Sequence, residues 1–282
     1  MVLFLVALLL TVVILPRRLS LYMGEMLGLW GCHLAPRYRR AAQKNIEKAF
    51  TGITMGRARQ IRDRSYKNMG ANIVDAALMN FRSKKFWLKR ITISGNNYLK
   101  QNLGQGRGVV YLTAHIGNWE LMGAFLSMIG HPINVVARRM TDSVLDRLLV
   151  GVRGRRGYNT IYRSGTGNMR KMLKVLKAGQ VLGILIDQDT KVGGVFVDFF
   201  GHSAYTPTAV AQFGKMDNTV IIPGFIYRNK DYSYRVEVLR PLDKKGDMRE
   251  QTQEQTRIIE EFIKKHPAQW VWMHPRWKTK KS

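Results

Sequence analysis

Cysteine is almost absent: Cys32 is the only one in 282 residues. That excludes an intramolecular disulfide and fits a reducing compartment. Acidic residues are scarce too. Nineteen Asp and Glu stand against 46 Lys and Arg, and the resulting charge of +27 is spread along the chain rather than held in one tail. Such a surface attracts polyanions, whether nucleic acid, an anionic membrane or an acidic protein. There is no internal repeat, low-complexity tract or long linker. No Gly-x-Ser-x-Gly is present, so a hydrolase of this general architecture would lack its nucleophile. The glycines at 104, 106 and 108 precede an apolar run instead of following one, which excludes a dinucleotide-binding turn.

Long apolar runs are lacking with one exception. Met1–Leu15 carries no charge and ends at Pro16-Arg17-Arg18. As a helix it would reach roughly 22 Å, short of a hydrocarbon core of about 30 Å. It is expected to be a half-inserted anchor, or a short span extended through Leu19–Ala35. No basic segment precedes it and no small-x-small site comes after it, which argues against a cleaved leader. By the positive-inside tendency, the arginines at 17, 18, 37, 39 and 40 are expected to place the domain behind the anchor in the cytoplasm. The expected organisation is an anchor at 1–18 and one α/β domain at 19–282.

What is present is an alternation. Residues 20–50 predict one or two amphipathic basic helices, and 56–81 another. From Ile91 the short apolar runs Val109–Thr113, Ile133–Ala137, Val181–Ile186 and Val220–Ile226 alternate with helical stretches near 119–129, 141–153, 167–178 and 205–215. That is the pattern of βαβ units and a mixed, mainly parallel sheet flanked by helices. Tyr232–Leu239 predicts a late antiparallel strand and Arg249–Lys265 a closing helix.

One segment carries chemistry: Val109-Val-Tyr-Leu-Thr-Ala-His115-Ile-Gly-Asn-Trp-Glu120. Gly117 permits a turn and Asn118 can cap a helix starting near Trp119. His115 then stands at the carboxyl end of a strand, where open α/β sheets place ligands. Glu120, in the first helical turn, is expected to reach back to the imidazole. A carboxylate on one ring nitrogen fixes the tautomer and frees the other nitrogen to take a hydroxyl proton. An acid five residues after a histidine is a weak signal on its own, although none of the other five histidines has one. The plainer reading is a core histidine beside an unrelated helix-start glutamate.

Context raises the specificity. The Ala-His-Ile-Gly-Asn-Trp-Glu-Leu box resembles that of the late lipid A acyltransferases, the lauroyl/myristoyl transferase family. Further matches come in order: Val135-Val-Ala-Arg138 with Leu145-Asp-Arg and Arg153-x3-Gly157; Leu182-Gly-Ile-Leu-Ile-Asp187-Gln-Asp189; Gly194-Val-Phe196-Val-Asp198-Phe-Phe-Gly201 with Ala204-Tyr-Thr-Pro207; and Pro267-x-Gln-Trp270-x-Trp272-x-His274-x-Arg276-Trp-Lys278. Asn45 and Phe50 after basic residues are similar to the family's N-terminal helix. The Phe-Pro-Glu-Gly box of glycerolipid acyltransferases is absent.

The resemblance implies a glycerolipid-acyltransferase-like fold and a membrane-bound enzyme. It would pass a fatty acyl chain from acyl carrier protein, or acyl-coenzyme A, to a hydroxyl of a phosphorylated glucosamine lipid. It also implies no metal and no cofactor, with His115 and Glu120 as the catalytic pair and Arg138 holding an anionic substrate. Asn118, Arg153, Asp187 and Asp189 complete the expected substrate site, against the alternative that Asp187 and Asp189 merely cap a strand end. Phe196, Phe199 and Phe200 read as core before acyl pocket, and Trp270 and Trp272 as core or interfacial belt. Another glycolipid or phospholipid acceptor, such as a phosphatidylinositol mannoside or an ornithine lipid, fits the same motifs. A membrane-anchored polyanion binder explains the charge but not the histidine box. No nucleic-acid partner is expected, and nothing demands an oligomer.

Overall fold

The computed structural model describes residues 11–190 and 192–281. Among the described residues, a short helical stretch at 11–14 is followed by three helices: α1 (Arg17–Leu34), α2 (Pro36–Ala49) and α3 (Met55–Leu78). Pro36 opens α2 where its missing N–H costs nothing, and Thr54 caps α3 by accepting from the Arg57 amide. Helices α1 and α3 cross at glycines: a Cβ on Gly70 would strike the Gly24 carbonyl, and one on Gly28 the Tyr66 carbonyl.

The remaining elements are α4 (Lys84–Leu88), β1 (Ile91–Ser94), α5 (Asn96–Gly104), β2 (Gly108–Thr113), α6 (Trp119–Met128), β3 (Ile133–Ala137), α7 (Ser143–Arg155), β4 (Asn159–Tyr162), α8 (Asn168–Lys177), β5 (Val181–Leu185), β6 (Gly194–Phe199), β7 (His202–Pro207), α9 (Ala209–Gly214), β8 (Thr219–Arg228), β9 (Tyr234–Val238) and α10 (Met248–Lys265). A single 3-10 turn, Pro267–Gln269, leads into the C-terminal segment. Seven strands form one sheet in the order β1-β9-β8-β2-β5-β3-β4. All neighbours are parallel except β8 and β9, so the late antiparallel strand expected from the sequence is present. The expected helix at 205–215 begins only at Ala209, because Gly194–Pro207 forms a separate hairpin of β6 and β7. Phe200 and Gly201, both at positive φ, make its two-residue turn.

Strand β2 is buried along its whole length, and its alternation explains why. Val110 and Leu112 pack with Met172 and Leu176 of α8, Phe213 of α9 and Ile259 of α10. Val109 and Tyr111 point the other way, to Leu121 and Phe125 of α6 and Ala71 of α3. Both faces are covered, so the strand reads as a continuous apolar run.

The anchor expected at 1–18 falls mostly on residues outside those described. Among the described residues no helix is long and apolar enough to cross a membrane, so a span extended through Leu19–Ala35 is not supported. Helix α1 instead packs on the domain: Arg17 Nε donates to Asp75 Oδ1 at 2.8 Å and Arg17 Nη2 to Oδ2 at 2.7 Å.

Candidate active site

Register assembles the site. Thr113 of β2 lies beside Leu185 of β5 in parallel pairing. Two residues further along each strand stand His115 and Asp187. The His115 ring Nδ1 lies 2.8 Å from Asp187 Oδ1, and the His115 amide donates to Oδ2 at 3.0 Å. An ionised carboxylate only accepts, so Nδ1 carries the proton, and whenever the ring is neutral it is Nε2 that holds the free lone pair. Trp270 Nε1 donates to the same Oδ2 at 2.7 Å. The Trp119 ring packs edge-on against the imidazole at 5.0 Å.

Asp187 is 2 % exposed. Burial alone would push its carboxyl up. The His115 charge and the hydrogen bonds from its ring, from Trp270 and from the His115 amide outweigh that, and hold it below the usual carboxylate range.

Glu120 does not reach His115. Its carboxylate takes Arg153 Nε at 2.9 Å and Nη2 at 2.5 Å, and accepts from the Tyr158 hydroxyl at 3.0 Å. The expectation that Glu120 orients the imidazole is therefore corrected: Asp187, seventy-two positions along the chain, does so. Asn118 caps α6 through Leu121 N, donates to the Asn72 carbonyl and is 2 % exposed, so it is not placed to bind substrate. Asp189 is equally withdrawn. It accepts from the amide and hydroxyl of Thr279, which ties the C-terminal segment to the end of β5. Arg153 lies on the pocket wall with its guanidinium committed to Glu120 and Thr160.

The pocket is a cavity of about 480 Å³ over the carboxyl ends of β2, β3, β4 and β5. Its inner wall is apolar, with Met122, Leu126, Ile133, Met172 and Ile184. Its polar end holds His115, Glu120, Arg138 and Arg163. Arg138 comes directly after β3 and is exposed; Arg163 comes directly after β4, and its amide donates to Ala137 O. Burial, then the neighbouring Arg138 charge, lowers the Arg163 pKa, which marks an unneutralised cationic rim. Arg163 is legible in the sequence only as one of several arginines in a basic stretch. Phe196, Phe199 and Phe200 do not line the cavity, and Phe199 and Phe200 belong to the core with Trp270 and Trp272. Among the described residues no cluster of three or more acids, histidines or cysteines could hold a metal.

The separate boxes meet here. Asn45 Nδ2 donates to the carbonyls of Trp272 and His274, and Phe50 packs on Trp272. Arg276, fully buried against Phe199, donates to Tyr205 O and Thr206 Oγ1, and burial brings its pKa down to about 10. The C-terminal segment thus straps the hairpin, the N-terminal helices and the end of β5 together.

The Trp270 contact invites a test. Trp270→Phe keeps an aromatic ring and removes one of the donors that hold the Asp187 carboxyl low. Turnover should fall about tenfold, the order of a lost hydrogen bond to a charged group. The acid limb of the kcat/KM profile should move to higher pH, because a more basic carboxylate grips the Nδ1 proton harder. Trp272→Phe, whose indole donates to Pro267 O, serves as the packing control and should leave the acid limb in place.

A carboxylate-held imidazole at a strand end, opening on a cavity with an apolar wall and a cationic rim, is an arrangement able to activate a nucleophile. The chain belongs to the bacterial lipid A biosynthesis acyltransferase family, whose pattern it matches over residues 1–279; it is an acyltransferase. It is 25% identical over 276 residues to a lipid A biosynthesis acyltransferase of Haemophilus influenzae, covering 97% of this chain and 86% of that one. It is 24% identical over 270 residues to the lipid A biosynthesis palmitoleoyltransferase of Escherichia coli, covering 94% and 87%. A phosphatidylinositol mannoside acyltransferase of Mycobacterium tuberculosis is 25% identical over 217 residues, covering 76% and 68%.

Proposed function

We propose that this enzyme moves a fatty acyl chain from an acyl carrier protein or coenzyme A thioester to a hydroxyl of a lipid A precursor, on the cytoplasmic face of the inner membrane. One observation carries the reading: His115 is locked by buried Asp187 with its free nitrogen at the polar end of an apolar cavity. The names of the relatives support the acceptor, and the cationic rim suits its phosphates and an acidic or anionic donor.

In the reaction, His115 Nε2 takes the hydroxyl proton as the oxygen attacks the thioester carbonyl carbon. Asp187 holds the ring and offsets the imidazolium charge. The tetrahedral oxyanion is met by the first-turn amides of α6 that Asn118 leaves uncapped, or by Arg138 or Arg163 at the rim. The carbon–sulfur bond then breaks, and the thiolate takes the proton back from His115. The products are an ester and a free thiol, with no acyl-enzyme, metal or cofactor in the sequence of steps. Glu120 serves as a positioning residue that fixes Arg153 on the pocket wall.

The test uses purified protein, radiolabelled acyl carrier protein and a Kdo-bearing lipid A precursor, with His115→Ala beside wild type. Loss of general-base help should lower transfer by about 10²–10⁴-fold in a variant whose circular dichroism is unchanged. Transfer surviving in the folded variant would remove His115 from the mechanism. Transfer by wild type to phosphatidylinositol mannoside alone would replace the acceptor and keep the chemistry.

A further inference from the structure

A second cavity, also about 480 Å³, shares no lining residue with the first. It lies between α1, α3, the β8–β9 turn and the end of α10. One face of α3 supplies Arg57, Gln60, Arg64 and Asn68; Lys230, Lys265 and Arg228 close it, with Glu25 the single acid on its wall. Burial, then the neighbouring Glu25 carboxylate, raises the Tyr232 pKa.

Its floor is unusual. Arg228 is 6 % exposed, and its guanidinium donates to Tyr234 Oη, Asn68 Oδ1 and Asn72 Oδ1, all neutral acceptors. The nearest carboxylate in that network, Asp75, already pairs with Arg17. The network of Arg17, Asp75 and Arg228 therefore carries one uncompensated buried positive charge under a rim of four more cations. A low-dielectric wall focuses that field into the concavity.

We propose that this cavity binds a phosphate group. A tetrahedral oxyanion of about −1.5 to −2 charge at pH 7 meets a cluster of this kind with several charge-assisted hydrogen bonds. A single carboxylate would leave most of the charge unmet. A nucleic acid would want an extended basic stripe with stacking rings; of the two rings on this wall, Tyr232 stands beside Glu25 and His266 is already stacked on Tyr227.

The phosphate has two sources of the same chemistry, a lipid headgroup or a free phosphate. An apolar groove lined by Leu27, Met69 and Ile73 uses other faces of the same α1 and α3, and Ile73 is 65 % exposed. That favours the headgroup. The site also backs the catalytic loop: Gln269 accepts from Gly117 N and Arg228 N, and Asn72 Nδ2 donates to Gly117 O. The proposal does not rest on the acyltransferase reading, since its readout is binding alone.

The experiment compares wild type, Arg64→Glu/Lys230→Glu, and the charge-matched control Lys171→Glu/Lys174→Glu on exposed positions of α8. Equilibrium dialysis with radiolabelled inorganic phosphate at physiological salt is one arm. Flotation on phosphatidylcholine vesicles with and without phosphatidic acid is the other. Saturable binding that weakens about tenfold only in the cavity variant supports the site. A fall in phosphatidic acid flotation assigns a headgroup, and a fall in dialysis alone assigns free phosphate. Equal loss in both charge-matched variants, or no saturable binding by wild type in either arm, overturns it.

Discussion

Asp187→Asn should lower acyl transfer by about 10³–10⁴-fold while the protein stays folded. The amide fills the same space and still accepts from Trp270. It no longer presents a charge to Nδ1, and its NH₂ group favours the wrong imidazole tautomer, which leaves Nε2 protonated and unable to accept. Glu120→Gln should cost no more than about tenfold, because Glu120 touches Arg153 and Tyr158 and not the imidazole; a comparable fall in the two variants would make the +5 carboxylate the partner after all. Acid stability separates them again. The folded-state pKa of Asp187 is depressed, so its contribution is present above the ordinary carboxylate pKa of about 4 and is lost as pH falls below it. Urea midpoints measured from pH 6 downward should therefore drop more steeply for wild type than for Asp187→Asn.

The two carboxylates show where reading the chain alone succeeds and where it stops. The strand before His115 is legible because β2 is buried on both faces and needs no polar residue. The turn and cap at Gly117 and Asn118 are legible because backbone chemistry there is local. The imidazole's partner is not local. It depends on β5 lying beside β2 in a register that sets Thr113 against Leu185, which only the folded sheet reveals. The acid at the fifth position is the nearest candidate along the chain, but α6 turns it toward Arg153, thirty-three residues on. Strands β1 and β4 are hidden for a related reason: each is four residues long and edges the sheet, so neither shows a sustained period. The hairpin is legible as a motif, Gly194–Pro207, without its strands, since Phe200 rather than asparagine or aspartate occupies the left-handed first turn position. Asp189 and Asn118 mislead because a polar residue near a strand end serves a cap or a strap as readily as a ligand.

The pair that displaced Glu120 from the imidazole should dominate stability. Glu120→Leu is expected to cost about 3–5 kcal/mol, as should Arg153→Met, since either leaves one charge of a mostly buried pair without its partner. The side chains are 15 % and 9 % exposed and meet through two hydrogen bonds. The Arg153 pKa reflects the balance: burial lowers it, and the Glu120 hydrogen bond and charge more than restore it. Glu120→Leu/Arg153→Met removes both charges together. Tyr158 keeps a partner there, because its hydroxyl also donates to the backbone carbonyl of residue 120. Van der Waals contact between the new leucine and methionine then replaces a pair whose attraction did little more than repay its own desolvation. The double variant should come within about 1 kcal/mol of wild type in urea unfolding, a strongly non-additive cycle. Additive losses would show instead that each side chain is held by separate contacts and that the ion pair does not close this corner of the pocket.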